Sequence, residues 1–281
     1  MEDGIEELRL PPVRHGWITA PDGTRLHTVS CGPEEGPPVL LIHGGGQSWL
    51  SWHRQLTLVA EGLRLIAYDL RGHGASGDHR DSSYRTLGRD AEAVLDHHGV
   101  ARATVVAWSL GGPTGSALLA AGRASGILYV STAVNFVLPR LIAVTPLGAL
   151  PAVLRMLADP RPGSRRRFLR LVAAPHILGP AEEALLLGAA VRVGPRQVRR
   201  LLTGLAFTSG PAQRAVAQAK VPVTVIAGTE DRLVTHSAAR RLAALASGGR
   251  LISYKGAGHA PFLQFPKRFN GDLRAAVERG A

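Results

Sequence analysis

The chain has 281 residues, of which 45% are hydrophobic and 19% charged, so we expect a folded domain with a substantial core and exclude a disordered chain. The single cysteine, Cys31, excludes an intramolecular disulfide and a cysteine-based zinc cluster, and it fits the cytoplasmic location that we predict. Residues 1–7 are acidic where a secretion signal would be basic, so we expect no such signal. The uncharged stretch 141–154 is too short and too broken by prolines to span a membrane.

The net charge of +12 is concentrated in one part of the chain. Residues 136–219 contain twelve arginines and three acidic residues, which leaves only +3 for the rest. Such a field can attract anions, membranes or nucleic acids, but we interpret it as the solvent-facing side of helices. A protein that binds single-stranded nucleic acid needs aromatic side chains on which the bases stack. This part of the chain has only three, Phe136, Phe168 and Phe207, so we predict no nucleic-acid partner.

Short apolar runs alternate with helical patterns through the first half of the chain. This order is typical of a parallel sheet whose strands are joined by right-handed helical crossovers. The first two strands are instead joined by a short turn at 21–23, which predicts an antiparallel hairpin. The predicted strands are 17–20, 26–30, 39–42, 63–68, 103–107 and 127–130, and the predicted helices are 49–62, 84–98 and 110–122.

The alternation stops at residue 136 and resumes near residue 219. Between them the pattern is helical and broken by prolines, so we predict a helical insertion, 136–218, over the carboxyl edge of the sheet. The core is then made of 1–135 and 219–281. Its second part has predicted strands at 222–227 and 251–254, with helices at 237–246 and at the end of the chain.

The stretch 104–112 runs from a β-branched strand into a serine with small residues around it. A strand that turns sharply into a helix needs this pattern, because Ser109 is strained and its neighbours Ala107 and Gly111 must lack bulk. Such a turn exposes the serine hydroxyl, and the backbone N–H of Leu110 points towards the same space. Short Ser/Gly motifs also arise by chance in ordinary loops, so the rest of the chain must show whether Ser109 is a nucleophile.

A serine nucleophile needs a base, and the base needs an acid to orient it. Asp231 follows the strand 222–227, and His259 follows the strand 251–254, so both are predicted at the same sheet edge as Ser109. Glu230 is an alternative to Asp231 as the acid.

These stretches together resemble the α/β-hydrolase fold family over nearly the whole chain. The resemblance rests on the glycine-rich stretch 43–46, the stretch 69–74, the turn at Ser109, and the loops of Asp231 and His259. It implies an α/β fold with a mostly parallel central sheet, helices on both faces and a helical cap. It also implies Ser109 as nucleophile, His259 as general base and acid, and Asp231 as the partner of the histidine.

The resemblance further implies an oxyanion hole made by the backbone N–H groups of Leu110 and Gly45. Gly44 and Trp108 are expected to line the substrate site, although packing is an equally good interpretation of Trp108. Ala107 stands where the family usually has glycine, and we expect this methyl group to cost little. His43 is expected to shape the oxyanion loop. A network that stabilises a turn is expected from three polar residues: Asp69, Arg71 and His73.

We therefore predict a serine hydrolase that cleaves a carboxylic ester, or a lactone, thioester or amide, of a small-molecule acyl substrate. No metal or organic cofactor is implied, since no metal-ligand spacing links the remaining histidines. The serine argues against a dehalogenase, an epoxide hydrolase or a dienelactone hydrolase, which use aspartate or cysteine. Two alternatives stay open: perhydrolase, C–C hydrolase, lyase or cyclase chemistry on the same fold, and a ligand-binding signalling protein. A homodimer is also left open.

Overall fold

The computed structural model describes residues 10–78, 81–133, 159, 161–173, 178–189 and 209–280. Within these residues, eight strands form one sheet. They are β1 (Arg14–Thr19), β2 (Arg25–Cys31), β3 (Pro38–Ile42), β4 (Arg64–Tyr68), β5 (Ala103–Trp108), β6 (Ala124–Val130), β7 (Val223–Gly228) and β8 (Arg250–Tyr254).

The helices of the described residues connect these strands or follow them. They are α1 (Tyr84–His97), α2 (Gly112–Ala120), α3 (Pro162–Ala173), α4 (Pro180–Ala189), α5 (Ser209–Ala217), α6 (His236–Leu245), α7 (Pro261–Gln264) and α8 (Pro266–Gly280). Two further segments of the described chain are 3-10 helices, a long one at Trp49–Glu61 and a single turn at Ser109–Gly111.

The strand order in the sheet is β1-β2-β4-β3-β5-β6-β7-β8. β2 is antiparallel to both of its neighbours, and all other pairs are parallel. This order confirms the predicted fold class, and each predicted strand is present. The carboxyl ends of β3, β5, β7 and β8 lie at one edge, where side chains from distant parts of the sequence can meet.

Both faces of the central strands are buried, which explains their unbroken apolar sequences. In β3, Val39 and Leu41 face one hydrophobic layer and Leu40 and Ile42 face the other. The first layer also contains side chains of the long 3-10 helix and α8, and the second contains side chains of α1, α2 and α6. The sheet is therefore held between two layers of helices, which fixes its carboxyl edge.

The structure differs from the sequence prediction mainly at the ends of elements. β1 begins at Arg14 because the hairpin pairing extends to Ser30 of β2. The segment after β3 is a 3-10 helix, and α2 begins only at Gly112, after the short turn that carries Ser109.

Three described helices fall within the predicted insertion 136–218. α3 and α4 bury apolar side chains in the first layer, whereas α5 buries Ala212 and Val216 in the second, against α2. Much of this stretch, 134–158 and 190–208 above all, lies outside the described residues, so its limits stay a prediction. None of the described helices has both the length and the apolar character needed to cross a membrane.

Candidate active site

The turn after β5 holds Ser109 in a left-handed backbone conformation with φ of 51°. This conformation is costly for a residue with a side chain and persists only where neighbours hold it. A Cβ on Gly111 would come within 2.9 Å of the Ile42 carbonyl oxygen. The carbonyl of Ser109 accepts a hydrogen bond from Thr132 Oγ1 at 2.6 Å. The tight approach to β3 and the bond from the end of β6 together fix the turn.

Ala107 is accommodated because the helix opposite it has a glycine. A Cβ on Gly115 of α2 would lie 2.8 Å from the methyl group of Ala107 and 2.9 Å from Ile127. The two positions therefore share the space of one methyl group, which here is on the strand. This explains how the chain tolerates alanine where the family usually has glycine.

The three residues predicted as nucleophile, base and acid lie together in the structure. His259 Nε2 is 2.9 Å from Ser109 Oγ, and His259 Nδ1 is 2.9 Å and 3.1 Å from the two carboxylate oxygens of Asp231. His259 is 3% exposed and Asp231 is 9% exposed. The arrangement allows Nδ1–H to donate to the carboxylate while Nε2 accepts from the serine hydroxyl.

The carboxylate of Asp231 is held by its own loop. Its Oδ1 accepts hydrogen bonds from the backbone N–H groups of Leu233 and Val234, at 2.8 and 2.9 Å. Glu230, the alternative acid, is exposed, while its backbone N–H donates to the carbonyl of Ala257. Asp231 is therefore the carboxylate that the structure brings to His259.

The glycine-rich loop after β3 lies against the Ser109 turn. A Cβ on Gly44 would be 3.1 Å from the Cβ of Ser109, and one on Gly45 would be 3.3 Å from the side chain of Leu110. The two residues predicted to supply oxyanion-hole N–H groups, Gly45 and Leu110, are thus neighbours. Glycine at both loop positions keeps the backbone close to the serine.

His43 fixes the start of this loop from within the protein. Its Nδ1–H donates to the carbonyl of Gly44 at 2.7 Å, and its Nε2 accepts from the backbone N–H of Leu70 at 2.9 Å. Burial, with the neighbouring His73, lowers the pKa of His43 to about 4. The imidazole is therefore neutral near pH 7, as its acceptor role requires.

The stretch after β4 forms a polar network with α1 and with the hairpin turn. Arg71 makes two hydrogen bonds of 2.6 Å to Asp90 of α1, and one of 2.8 Å to Asp22 in the hairpin turn. His73 donates to the carbonyl of Arg71. These partners tie the loop to α1 and to the hairpin, as expected for a turn-stabilising network, and sequence reasoning did not identify Asp90 or Asp22.

Trp108 is 1% exposed and lies in the first hydrophobic layer, against Trp52 and Phe262. Its indole N–H donates to the backbone carbonyl of His259 at 2.9 Å. The packing interpretation left open by the sequence fits this position better than the lining of an acyl pocket. No sequence pattern could reveal a bond between residues 151 positions apart.

An ion-pair cluster links α4 to the core close to the His259 loop. The Glu182 carboxylate accepts from Arg54 Nε and Nη2 at 2.6 and 2.7 Å, and His53 Nε2 lies 2.8 Å from it. Arg54 Nη1 also donates to the carbonyl of Leu263 in α7. One arginine thus connects the predicted cap to the segment that follows His259.

Across the described ranges, there is no group of three or more histidine, cysteine, aspartate or glutamate side chains that could hold a metal ion. His176 lies outside the described residues, so the absence of a ligand spacing there stays a prediction from the sequence.

Comparison with known proteins identifies the family. A family model of the alpha/beta hydrolase fold matches residues 37–266, so the chain belongs to the α/β-hydrolase fold family. It is 29% identical over 255 residues to pimeloyl-[acyl-carrier protein] methyl ester esterase of Nitrosomonas europaea, across 87% of this chain and 96% of that protein. It is 27% identical over 277 residues to the bifunctional esterase/perhydrolase DCH of Acinetobacter calcoaceticus, across 93% and 99% of the two chains.

Solved structures and shorter matches add to this assignment. A candidate aryl esterase from Burkholderia cenocepacia superposes with a TM-score of 0.83 and 31% identity, over 95% of this chain and 99% of that one. Esterase RhEst1 from Rhodococcus sp. ECU1013 has a TM-score of 0.82 and 26% identity, over the same shares. Epoxide hydrolase B of Mycobacterium tuberculosis is 38% identical over 117 residues, 39% of this chain, and the match spans only 33% of that relative's own length.

Proposed function

We propose that the protein is a serine hydrolase that cleaves carboxylic esters through an acyl-enzyme on Ser109. The observation that carries the proposal is the pair of 2.9 Å distances at His259, one to the Ser109 hydroxyl and one to the Asp231 carboxylate. A hydroxyl bonded to an oriented imidazole is the arrangement that activates serine near neutral pH. Lactones, thioesters and amides are further substrates of the same chemistry.

The first half of the reaction forms the acyl-enzyme. Ser109 Oγ attacks the carbonyl carbon of the substrate while its proton moves to His259 Nε2, and Asp231 stabilises the resulting imidazolium. The tetrahedral intermediate then collapses and breaks the bond to the alcohol oxygen. The imidazolium returns its proton to that oxygen, so a neutral alcohol leaves.

The second half uses water in place of the alcohol. His259 takes a proton from the water as it attacks the acyl carbon, and the proton then passes to Ser109 Oγ when the acyl bond breaks. The products are the free acid and the original enzyme. During both attacks the negative oxygen accepts hydrogen bonds from the N–H groups of Leu110 and Gly45, each worth about 3 kcal/mol to the transition state.

The relatives support ester cleavage over epoxide cleavage. The two long matches are to proteins named as esterases, whereas the match to epoxide hydrolase B covers a third of that protein. Ser109 also stands where we expect an epoxide hydrolase to have an aspartate. We therefore keep a small-molecule acyl compound as the substrate class.

Perhydrolysis is a second candidate, favoured by the full-length match to an esterase/perhydrolase. In this reaction hydrogen peroxide replaces water in the second half and the product is a peracid. The same acyl-enzyme is used, so no additional residue is needed.

We further propose that residues 136–218 form a helical cap whose apolar residues shape the acyl pocket. Gly44 contributes to this pocket through its position beside Ser109. Exchange of residues 140–205 for the corresponding stretch of a relative should change the acyl-chain preference, and an unchanged preference would contradict this role. Cytoplasmic location and dimer formation stay predictions.

The proposal is tested by hydrolysis of p-nitrophenyl esters with short and long acyl chains. We expect turnover, with a burst of p-nitrophenol in the first cycle for those esters whose acyl-enzyme is hydrolysed more slowly than it forms. Peroxide should divert the acyl group to the peracid if the second candidate also holds. Absence of turnover on every ester would contradict the proposed function.

A further inference from the structure

Trp108 joins the strand of the proposed nucleophile to the loop of the proposed base. It is the last residue of β5 and directly precedes Ser109. Its indole N–H donates a hydrogen bond of 2.9 Å to the backbone carbonyl of His259, and both groups are buried. A covalent neighbour of the serine thus holds the main chain of the histidine.

The indole ring has little freedom to move. The ring of Phe262 meets it edge-on with 4.9 Å between centroids, and the ring of Trp52 meets it edge-on at 6.3 Å. Close packing of this kind holds a side chain in one rotamer. The N–H of Trp108 therefore occupies a fixed position relative to β5.

The His259 side chain and main chain are held separately. Asp231 binds the side chain at Nδ1, which fixes the direction of the ring. The loop itself is held by Trp108 at the carbonyl of His259 and by Gln264, whose Oε1 accepts from the N–H of Gly258 at 2.7 Å. A shift of the main chain would move Nε2 away from the serine even with the carboxylate bond intact.

We propose that Trp108 is a positioning residue whose indole N–H fixes the main chain of His259 so that its Nε2 stays within hydrogen-bond distance of Ser109 Oγ. The inference rests on the proposed function and deepens it. It assigns to Trp108 a role different from the lining of the acyl pocket, because the ring is buried against Phe262 and its polar atom faces the histidine.

The test compares two tryptophan-to-phenylalanine variants. Trp108→Phe keeps an aromatic ring but removes the N–H. Trp52→Phe is the matched control: it lies in the same cluster, is 0% exposed and, within the part of the chain that the structure describes, its Nε1 has no hydrogen-bond partner. Both variants lose similar volume, and only one loses a hydrogen bond to His259.

We expect Trp108→Phe to lower kcat on p-nitrophenyl esters by at least about tenfold, since small displacements of a catalytic group are costly. Its KM and its preference among acyl-chain lengths should stay within about twofold of the wild type. The rate at which a fluorophosphonate labels Ser109 should fall in proportion to kcat. Trp52→Phe should change each quantity by less than about threefold.

Several outcomes would overturn the proposal. A changed KM or chain-length preference at unchanged kcat would assign Trp108 to the acyl pocket, and equal losses in both variants would assign it to packing alone. If Trp108→Phe fails to fold, benzothienylalanine at position 108 removes the N–H with the shape retained, and full activity of that protein would refute the role. A wild type that is not labelled at Ser109 would refute the proposed function itself, and the positioning role with it.

Discussion

Among the described residues, two aspartate–histidine pairs have a hydrogen bond of the same length and different surroundings. His259 Nδ1 lies 2.9 Å from Asp231, and His27 Nδ1 lies 2.9 Å from Asp69. All four side chains are buried or nearly so. By the hydrogen bond alone, neither pair can be identified as the proposed catalytic one.

The groups that face the second ring nitrogen distinguish the two pairs. His259 Nε2 faces the hydroxyl of Ser109, which is held in a left-handed conformation beside the glycine-rich loop. His27 Nε2 lies 2.9 Å from Nδ1 of His15, on the edge strand β1. An oriented imidazole becomes a candidate base only where the fold presents a nucleophile to it.

The carboxylate of the second pair has a structural role. Asp69 accepts hydrogen bonds from His27 and from the backbone N–H groups of Trp49 and Ala75. Burial raises the pKa of Asp69, but these bonds and the nearby His43 outweigh it and lower the pKa overall. Asp69 thus holds the start of the long 3-10 helix against the loop after β4.

The largest difference in activity between the two pairs is expected when the residue that faces each imidazole, Ser109 or His15, is replaced. Ser109→Ala should lower kcat/KM on a p-nitrophenyl ester by about 10⁴-fold or more, because no acyl-enzyme can form. His15→Ala should change kcat/KM by less than about threefold, because β1 contributes no group to the proposed chemistry. Similar losses in both variants, measured by steady-state kinetics, would contradict the distinction.

Matched substitutions of the two carboxylates should separate catalysis from stability. Asp231→Asn should lower kcat by about 10³- to 10⁴-fold, because the imidazole loses its orientation. Asp69→Asn should leave kcat within about threefold and lower the free energy of unfolding by about 2 kcal/mol, because buried donors lose a charged partner. Urea titration and kinetics on the same samples measure both effects.

Acid should lower the free energy of unfolding, because two histidines outside the proposed triad have a lowered pKa in the folded protein. Burial lowers the pKa of both His43 and His98 to about 4. Between the ordinary histidine pKa, near 6.5, and pH 4 the unfolded chain binds more protons, so stability falls as the pH falls through this range. We expect His43 to account for about 3 kcal/mol at most. Urea titrations from pH 7 to pH 4.5 measure the loss.

His43→Asn is the control for this pH dependence. It should be less stable at pH 7, because the carbonyl of Gly44 and the N–H of Leu70 lose a well-placed partner. Its stability should also fall less steeply towards pH 4.5, with His98 responsible for part of the remaining slope. An equally steep fall in the variant would show that His43 is not the source.

The effect confined to the fewest atoms is expected where Ala107 and α2 share space behind the Ser109 turn. Gly115→Ala would bring two methyl groups to 2.8 Å, and we expect a loss of about 1–3 kcal/mol in the free energy of unfolding. Ala107→Gly in the same chain should restore part of it. Thermal unfolding of the single and double variants measures the coupling, and additive effects would contradict it.

The sequence predicted the fold well because its strongest signals are local patterns. Unbroken apolar runs such as 39–42, which lies between prolines and a glycine-rich stretch, define buried strands, and the family motifs add the order of Ser109, Asp231 and His259. The structure brings these three together at one sheet edge. What the sequence could not predict depends on the direction of single side chains: the bond from Trp108 to the His259 carbonyl, and the pairing of Arg71 with Asp90 and Asp22.

Local geometry set further limits on prediction. Periodicity does not separate a 3-10 from an α-helical segment at 49–61, since both place similar residues on a buried face. The start of β1 depended on cross-strand pairing with β2, which no local pattern encodes. The insertion 136–218 was predicted from the absence of strand patterns, and its limits stay a prediction.

The central claim is that Ser109 is the nucleophile and that His259 activates it. The most direct measurement is the mass of the protein after reaction with a fluorophosphonate, followed by identification of the modified peptide. We predict one adduct per chain, on Ser109, and loss of labelling in His259→Ala. Ester turnover with no adduct, or with the adduct on another residue, would contradict the account.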